Sequence, residues 1–238
     1  MKTTFIALMA SVVLVSCDPQ TLEGIIGTLP TTTLSNEEVI AGLKEALNVG
    51  AKNAVSFTAK TDGFWKNPRI RIPFPPEAEK VKNTAINLGL IVQVEKFENT
   101  LNRAAEKASA EAVSVFATAI MNMTIQDGFN ILKGDSTAAT KFLKQNTTAQ
   151  LTMKFSPIVQ KAIDEVQLTS YWQPLAEAYN NAIIFTGGEP VNPDLNGYVT
   201  QKALDGLFYY VGVEEKKIRS DPAARVTELL KKVFGSVY

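Results

Sequence analysis

The chain has 238 residues, 45% of them apolar and 20% charged, with 24 Lys plus Arg against 24 Asp plus Glu. That balance excludes a disordered chain and suits one hydrophobic core, while the lack of a basic excess or a long Lys/Arg run excludes nucleic acid as a partner, whose binding needs phosphate neutralisation. There is no histidine and one cysteine, Cys17, which removes the usual general base near neutral pH, the commonest metal ligand, every Ser-His-Asp or Cys-His set and any disulfide.

No cofactor or metal site is therefore expected, and any catalysis falls to carboxylates, Lys, Tyr, Ser or Thr. Lys2 and the apolar run over 5–15 have the form of an export leader, too short to span a bilayer as a helix. The run ends in Leu14-Val15-Ser16-Cys17, which resembles a bacterial lipobox: a branched apolar residue three before the cysteine and a small residue directly before it. An ordinary secretory leader wants a small residue where Leu14 stands. The expectation is a lipoprotein signal peptide over 1–16, cut before Cys17, with acyl groups such as palmitate on that cysteine. Two or three acyl chains anchor durably at about 0.8 kcal/mol per buried methylene, placing the protein in the cell envelope, on the periplasmic face or cell surface of a bacterial membrane. Asp18 resembles an inner-membrane retention signal of enteric bacteria; other phyla read that position differently.

Residues 17–34, with Pro19, Gly24, Gly27 and Pro30, read as a spacer whose extended reach is roughly 50–60 Å at about 3.3–3.6 Å per residue. Residues 35–238 then read as one compact multi-helix, all-α domain with an extended arm or short β hairpin near 62–76. Ser35-Asn36-Glu37-Glu38 is a capping box, followed by an apolar face of Val39, Leu43, Ala46, Leu47, Gly50, Ala54 and Phe57. In the arm, Arg69-Ile70-Arg71-Ile72 alternates at period two among Pro68, Pro73, Pro75 and Pro76, which forbid a helix interior. Helices are expected over about 77–88 and 94–121, the second Ala-rich. Thr124 caps a short helix ending near Gly134, Asp135 or Ser136 caps another, and Thr147 with Gln150 opens a further one interrupted by Pro157. A Trp172-centred helix, a loop over 186–196, a helix over 198–219 and a final helix opened by Asp221-Pro222 complete the chain. Val226, Leu229, Leu230, Val233 and Phe234 give that last helix its face.

Three constellations carry chemistry. On the long helix, with Leu101 at 0°, Asn102 lies near 100°, Glu106 near 140° and Arg103 near 200°, so these residues form either a polar site on a second face or an ordinary surface pair of Arg103 with Glu106. The arm joins Phe64 and Trp65 to Arg69 and Arg71, giving either a binding surface for an anionic or carbohydrate partner or a structural loop with its aromatics tucked onto the helices. Glu214 projects into an apolar sector of Val199, Ala203, Leu207, Val211 and Ile218. It then needs a cation, Arg219 or Arg225, unless a bend at Gly212 lets it reach water; an ion pair with Arg225 is the expectation.

Ala41-Gly42-Leu43-Lys44-Glu45-Ala46-Leu47, Asp62-Gly63-Phe64, Ile72-Pro73, Asn102-Arg103-Ala104-Ala105-Glu106, Met123-Thr124, Ala138-Ala139-Thr140, Tyr198-Val199-Thr200 and Ala203-Leu204-Asp205-Gly206-Leu207-Phe208 together resemble the domain of unknown function 4197. The likeness continues through Glu215, Ile218-Arg219, Pro222, Arg225 and Leu230-Lys231-Lys232-Val233-Phe234-Gly235, with Phe142-Leu143 in place of Tyr-Phe and Asp221 in place of Asn. It implies a helical exported lipoprotein and supplies no catalytic residues. The functional expectation is a membrane-tethered envelope lipoprotein that binds an envelope protein or small ligand without catalysis. The rival is a hydrolase or lyase using two converging acids from Glu106, Asp127, Asp205 and Glu214.

Overall fold

The computed structural model describes residues 35–76, 79–87, 89–165 and 194–225, with single positions among 177–190 and 227–233. The leader, Cys17, the spacer, the Trp172 helix, most of the 186–196 loop and most of the last helix's apolar face lie outside the described residues. What is described is all-α: α1 (Asn36–Ala59), α2 (Glu79–Asn87), α3 (Ile91–Ser109), α4 (Ala112–Met121), α5 (Ile125–Lys133), α6 (Ala138–Glu165) and α7 (Leu195–Ser220). No single described helix is long and apolar enough to cross a membrane.

Local chemistry starts α1 and α5. Ser35 Oγ accepts from the Glu38 N–H at 3.1 Å while the Glu38 carboxylate accepts from the Ser35 N–H at 2.9 Å. Thr124 and Asp127 do the same at α5, which ends at Gly134, so two of the four N–H groups orphaned at each helix start are satisfied. Ile40, Leu43, Ala46, Leu47, Ala51, Ala54 and Val55 give α1 its buried face. Phe57 falls outside it, 44% exposed, and stacks on Tyr210 with ring centroids 5.5 Å apart.

The centre of the domain is α3. Leu101, Ala104, Ala105 and Ala108 are wholly buried, because α1, α6 and α7 all pack against this helix and its alanines let them approach. The expected single helix over 94–121 is divided: Ser109 Oγ bonds back to the Ala105 carbonyl, and Glu111 N–H closes a tight turn onto the Ala108 carbonyl at 3.0 Å before α4 begins. Ser back-bonding of this kind bends helices. The chain then turns by 106° into α5.

Two segments expected apart are one helix. Thr147 does not cap a new start; it faces the core and donates to the Leu143 carbonyl at 2.6 Å, so α6 runs 28 residues with Pro157 inside it. The carbonyl that Pro157 leaves without its N–H partner is that of Met153, whose side chain is 70% exposed, on a face where water can serve it. Leu143, Thr147, Leu151, Phe155 and Val159 form its buried stripe at intervals of four.

The arm over 62–76 contains no strand among the described residues. Turns run through 61–66 and 68–70, and 71–73 lies in no turn, helix or strand. Gly63 permits the first turn, since a Cβ there would stand 2.5 Å from the Phe57 carbonyl oxygen and 2.7 Å from that of Thr58, at the end of α1. At the other end of the molecule Asp221 N–H caps α7 through the Lys217 carbonyl. The Asp221 carboxylate accepts from Ala223 N–H, and Pro222–Ala224 is a 3₁₀ turn where a helix start was expected.

Candidate functional site

Three α3 residues spaced by four, Glu98, Asn102 and Glu106, point at the arm and bind its main chain. All three are buried, at 6%, 0% and 4% exposure. Glu106 Oε1 accepts from the N–H groups of Phe64 at 3.1 Å and Trp65 at 3.3 Å. Asn102 accepts from the Ile72 N–H and donates to the Ile72 carbonyl, both at 2.8 Å, and also donates to the Glu98 carbonyl at 2.7 Å. Glu98 accepts from the Phe74 N–H at 3.3 Å and pairs with Arg71 at 2.7 Å and Lys82 at 3.1 Å. A loop cannot be buried with its backbone polar groups unpaired, and this ladder supplies the missing partners. Phe64, Ile70, Ile72 and Phe74 then enter the core.

Charge closes the ladder on its outer side. Arg103 bridges Glu106 at 2.7 Å and Asp62 at 2.6 Å, and Asp62 also holds Lys66 at 2.9 Å. Hydrogen bonds from Lys66 and Arg103 hold the Asp62 carboxyl below its usual value, and the bond to Glu106 raises the Arg103 guanidinium above its own. Burial pushes Glu98 upward, but the hydrogen bonds from Lys82 and Arg71 outweigh it and leave the carboxyl below the ordinary value. Arg71 also covers the Trp65 ring, its guanidinium carbon 4.0 Å from the ring centroid.

These contacts divide the expected sites. The second face of α3 carries buried polar groups that bind the arm's main chain, and Arg103–Glu106 is more than a surface pair because the Glu106 side chain is only 5% exposed. The arm's aromatics are tucked in: Phe64 is fully buried and Trp65 half-buried beneath Arg71. Arg69 and Arg71 are both exposed, and Arg71 is held by Glu98 and the Trp65 ring.

The four candidate acids occupy separate settings. Glu106 belongs to the ladder; Asp127 Oδ2 accepts from the Thr124 N–H at 3.0 Å and hydroxyl at 2.6 Å; exposed Asp205 accepts from Gln201 at 3.0 Å; and Glu214, 4% exposed, accepts from Asn53 Nδ2 at 2.8 Å. Among the described residues no three His, Cys, Asp or Glu side chains are grouped to hold a metal.

The ion pair expected between Glu214 and Arg225 is replaced by other contacts. Glu214 is buried, as its position in the apolar sector implied, but takes the neutral Asn53 amide. Arg225 instead donates to the carbonyls of Ile218 at 3.3 Å and Arg219 at 3.0 Å, capping the C-terminus of α7 where a cation suits the helix dipole. The guanidinium–carboxylate pair lies one residue on: Arg219 and Glu215, 3.0 Å apart with side chains 9% and 6% exposed. Glu215 also accepts from the N–H groups of Ala139 and Thr140 and from the Thr140 hydroxyl, so it caps α6 from another helix.

Sequence reasoning missed Glu98, Asp62 and Glu215. The interval of four from Glu98 through Asn102 to Glu106 was the available signal for the first.

A family model described as "Protein of unknown function (DUF4197)" matches residues 33–235. The chain belongs to this family. The match takes in every described residue of the DUF4197 domain, including the arm, the ladder and the Glu215–Arg219 pair. Searches of curated proteins and of solved structures find no match.

Proposed function

We propose that the protein is a lipid-tethered module of the bacterial envelope that binds a partner or small ligand and performs no chemistry of its own. The observation that carries this reading is the separate engagement of the acids. A carboxylate hydrolase or lyase needs two acids at one place, whereas Glu106, Asp127, Asp205 and Glu214 each answer to a different partner and none shares one with another. Glu106 fastens the arm. The tether rests on Leu14-Val15-Ser16-Cys17 and the apolar run before it, and the membrane is then the first partner, reached through acyl chains.

The test is metabolic palmitate labelling and membrane fractionation of the full chain expressed in a bacterial host. The expected result is labelled protein in the membrane fraction, with Cys17→Ser abolishing the label and releasing the protein or blocking its maturation. Label retained in Cys17→Ser, or unlabelled wild-type protein in the soluble fraction, overturns the tether.

A further inference from the structure

Between the end of α4, the start of α5 and one side of α6 lies a cleft of about 210 Å³ lined by Thr118, Asn122, Asp127, Phe142, Asn146 and Gln150. The spacing assembles it. Thr118 on α4 and Asn122, the residue that caps its end, are four apart, and Phe142, Asn146 and Gln150 are four apart on α6, so each set shares a face. The α6 set runs beside the buried Leu143, Thr147 and Leu151 stripe.

The polar groups of the α3 ladder are closed against the arm; those of the cleft are held but left open. Asp127 uses Oδ2 for Thr124, leaving Oδ1 toward other donors. Asn146 donates its Nδ2 to the Phe142 carbonyl at 2.8 Å, leaving its carbonyl oxygen as an acceptor, and the Thr118 hydroxyl donates to the Ser114 carbonyl at 2.9 Å, leaving its lone pairs. The Asn122 and Gln150 amides hydrogen-bond to no other described side chain and supply donors. No Lys or Arg lines the cleft, and the one carboxylate stays ionised because the Thr124 hydrogen bonds hold it below its usual value. An anionic ligand finds no counter-charge here. The fit is to a molecule that donates and accepts at neighbouring atoms while offering a C–H face to the half-buried Phe142 ring.

We propose that this cleft is a saccharide site that seats one neutral sugar ring against Phe142 and reads its hydroxyls with Asn122, Asp127, Asn146 and Gln150. Its volume lies below the roughly 300–1,000 Å³ of clefts for drug-sized ligands, which suits one ring of a glycan with the remainder in solvent. The proposal rests on the binding-module reading and names its ligand class. A single carboxylate lacks the second acid that glycosidic cleavage ordinarily requires, so the sugar leaves intact.

The test is saturation-transfer NMR on the full chain in detergent, with methyl β-D-glucopyranoside and methyl N-acetyl-β-D-glucosaminide as probes and glycerol as the acyclic control. Saturable transfer to ring C–H protons of at least one glycoside is expected, with at least tenfold weaker binding in Asn122→Ala/Gln150→Ala and no change in Gln145→Ala, an exposed amide on α6 outside the cleft. Both cleft amides are exposed, so the variants should fold. Absence of saturable transfer, equal transfer to glycerol, or undiminished binding in the double variant overturns the site. Release of methanol from a bound glycoside upholds the site and overturns the non-enzymatic reading; failure to bind overturns the site and leaves the tether to its labelling test.

Discussion

Asn102 and Ile72 are joined as neighbouring strands are joined, the side-chain amide of one exchanging two 2.8 Å hydrogen bonds with the main chain of the other. Both residues are fully buried. A buried polar group left unpaired costs about 1–3 kcal/mol, so Asn102→Ala is expected to lower the unfolding free energy by about 2–4 kcal/mol. Urea denaturation with an unchanged m-value would show it; a loss under about 0.5 kcal/mol, the range of ordinary surface substitutions, would mean the two groups find other partners.

Acid should loosen the arm. Glu98 is held below its ordinary carboxyl value of 4.5 because the hydrogen bonds from Lys82 and Arg71 overcome its burial, so the unfolded state takes up its proton first as pH falls. Its contribution is full above about pH 4.5 and is lost as pH drops through the lower folded value. Asp62, lowered from 3.8 by Lys66 and Arg103, adds a second loss further down. Trp65 fluorescence in a Trp172→Phe background should report the release, and Glu98→Gln should flatten only its upper part.

Glu215 with Arg219 and Glu214 with Arg225 should behave differently under paired substitution. Removing one member of a buried pair costs about 3–5 kcal/mol, so Glu215→Ala and Arg219→Ala are each expected to be severe, with a coupling of about 0.5–3 kcal/mol in the double mutant. Glu214→Gln and Arg225→Met, whose side chains serve Asn53 and the helix-end carbonyls, should be additive. Thermal or urea unfolding of both cycles decides between them, and coupling in the second cycle would restore a direct link.

Two glycines of α7 should respond to alanine with opposite signs. At Gly206 a Cβ would stand 2.6 Å from Phe64 Cε1 and 3.1 Å from Ile70 Cβ, and Phe64 is wholly enclosed. Overpacking of about 1–3 kcal/mol exceeds the helix-propensity gain of about 0.8–1.0, so Gly206→Ala should destabilise. At Gly212 the nearest atom is Thr140 Oγ1 at 3.6 Å, an ordinary contact, and the propensity gain should raise Tm. A calorimetric scan of each variant reads the sign.

What sequence revealed follows the range of the interaction. Ser35 with Glu38 and Thr124 with Asp127 were legible because each cap is closed within four residues. The burial of Glu214 was legible from period alone, yet its partner was not, because Asn53 lies 161 positions away. Thr147 and Pro157 looked like boundaries because both residue types commonly are. The core stripe from Leu143 to Val159 carries the helix past them. Ala and Ser at 108–110 gave no warning of the turn that divides α3 from α4, where no Gly or Pro stands. The ladder was half visible: Asn102 and Glu106 were singled out, but their task depends on an arm some 30 to 40 residues earlier that has no regular structure of its own.

A clamp that grips peptide groups is indifferent to most of what the gripped segment displays. Glu106, Asn102 and Glu98 take hold of the arm at the main-chain atoms of residues 64, 65, 72 and 74, while Pro68 and Arg69 between them face solvent. Neither outer side chain takes part in those bonds, so exchanging Pro68 or Arg69 should leave the grip on the arm intact, and foreign residues written there would be displayed on the surface of the domain.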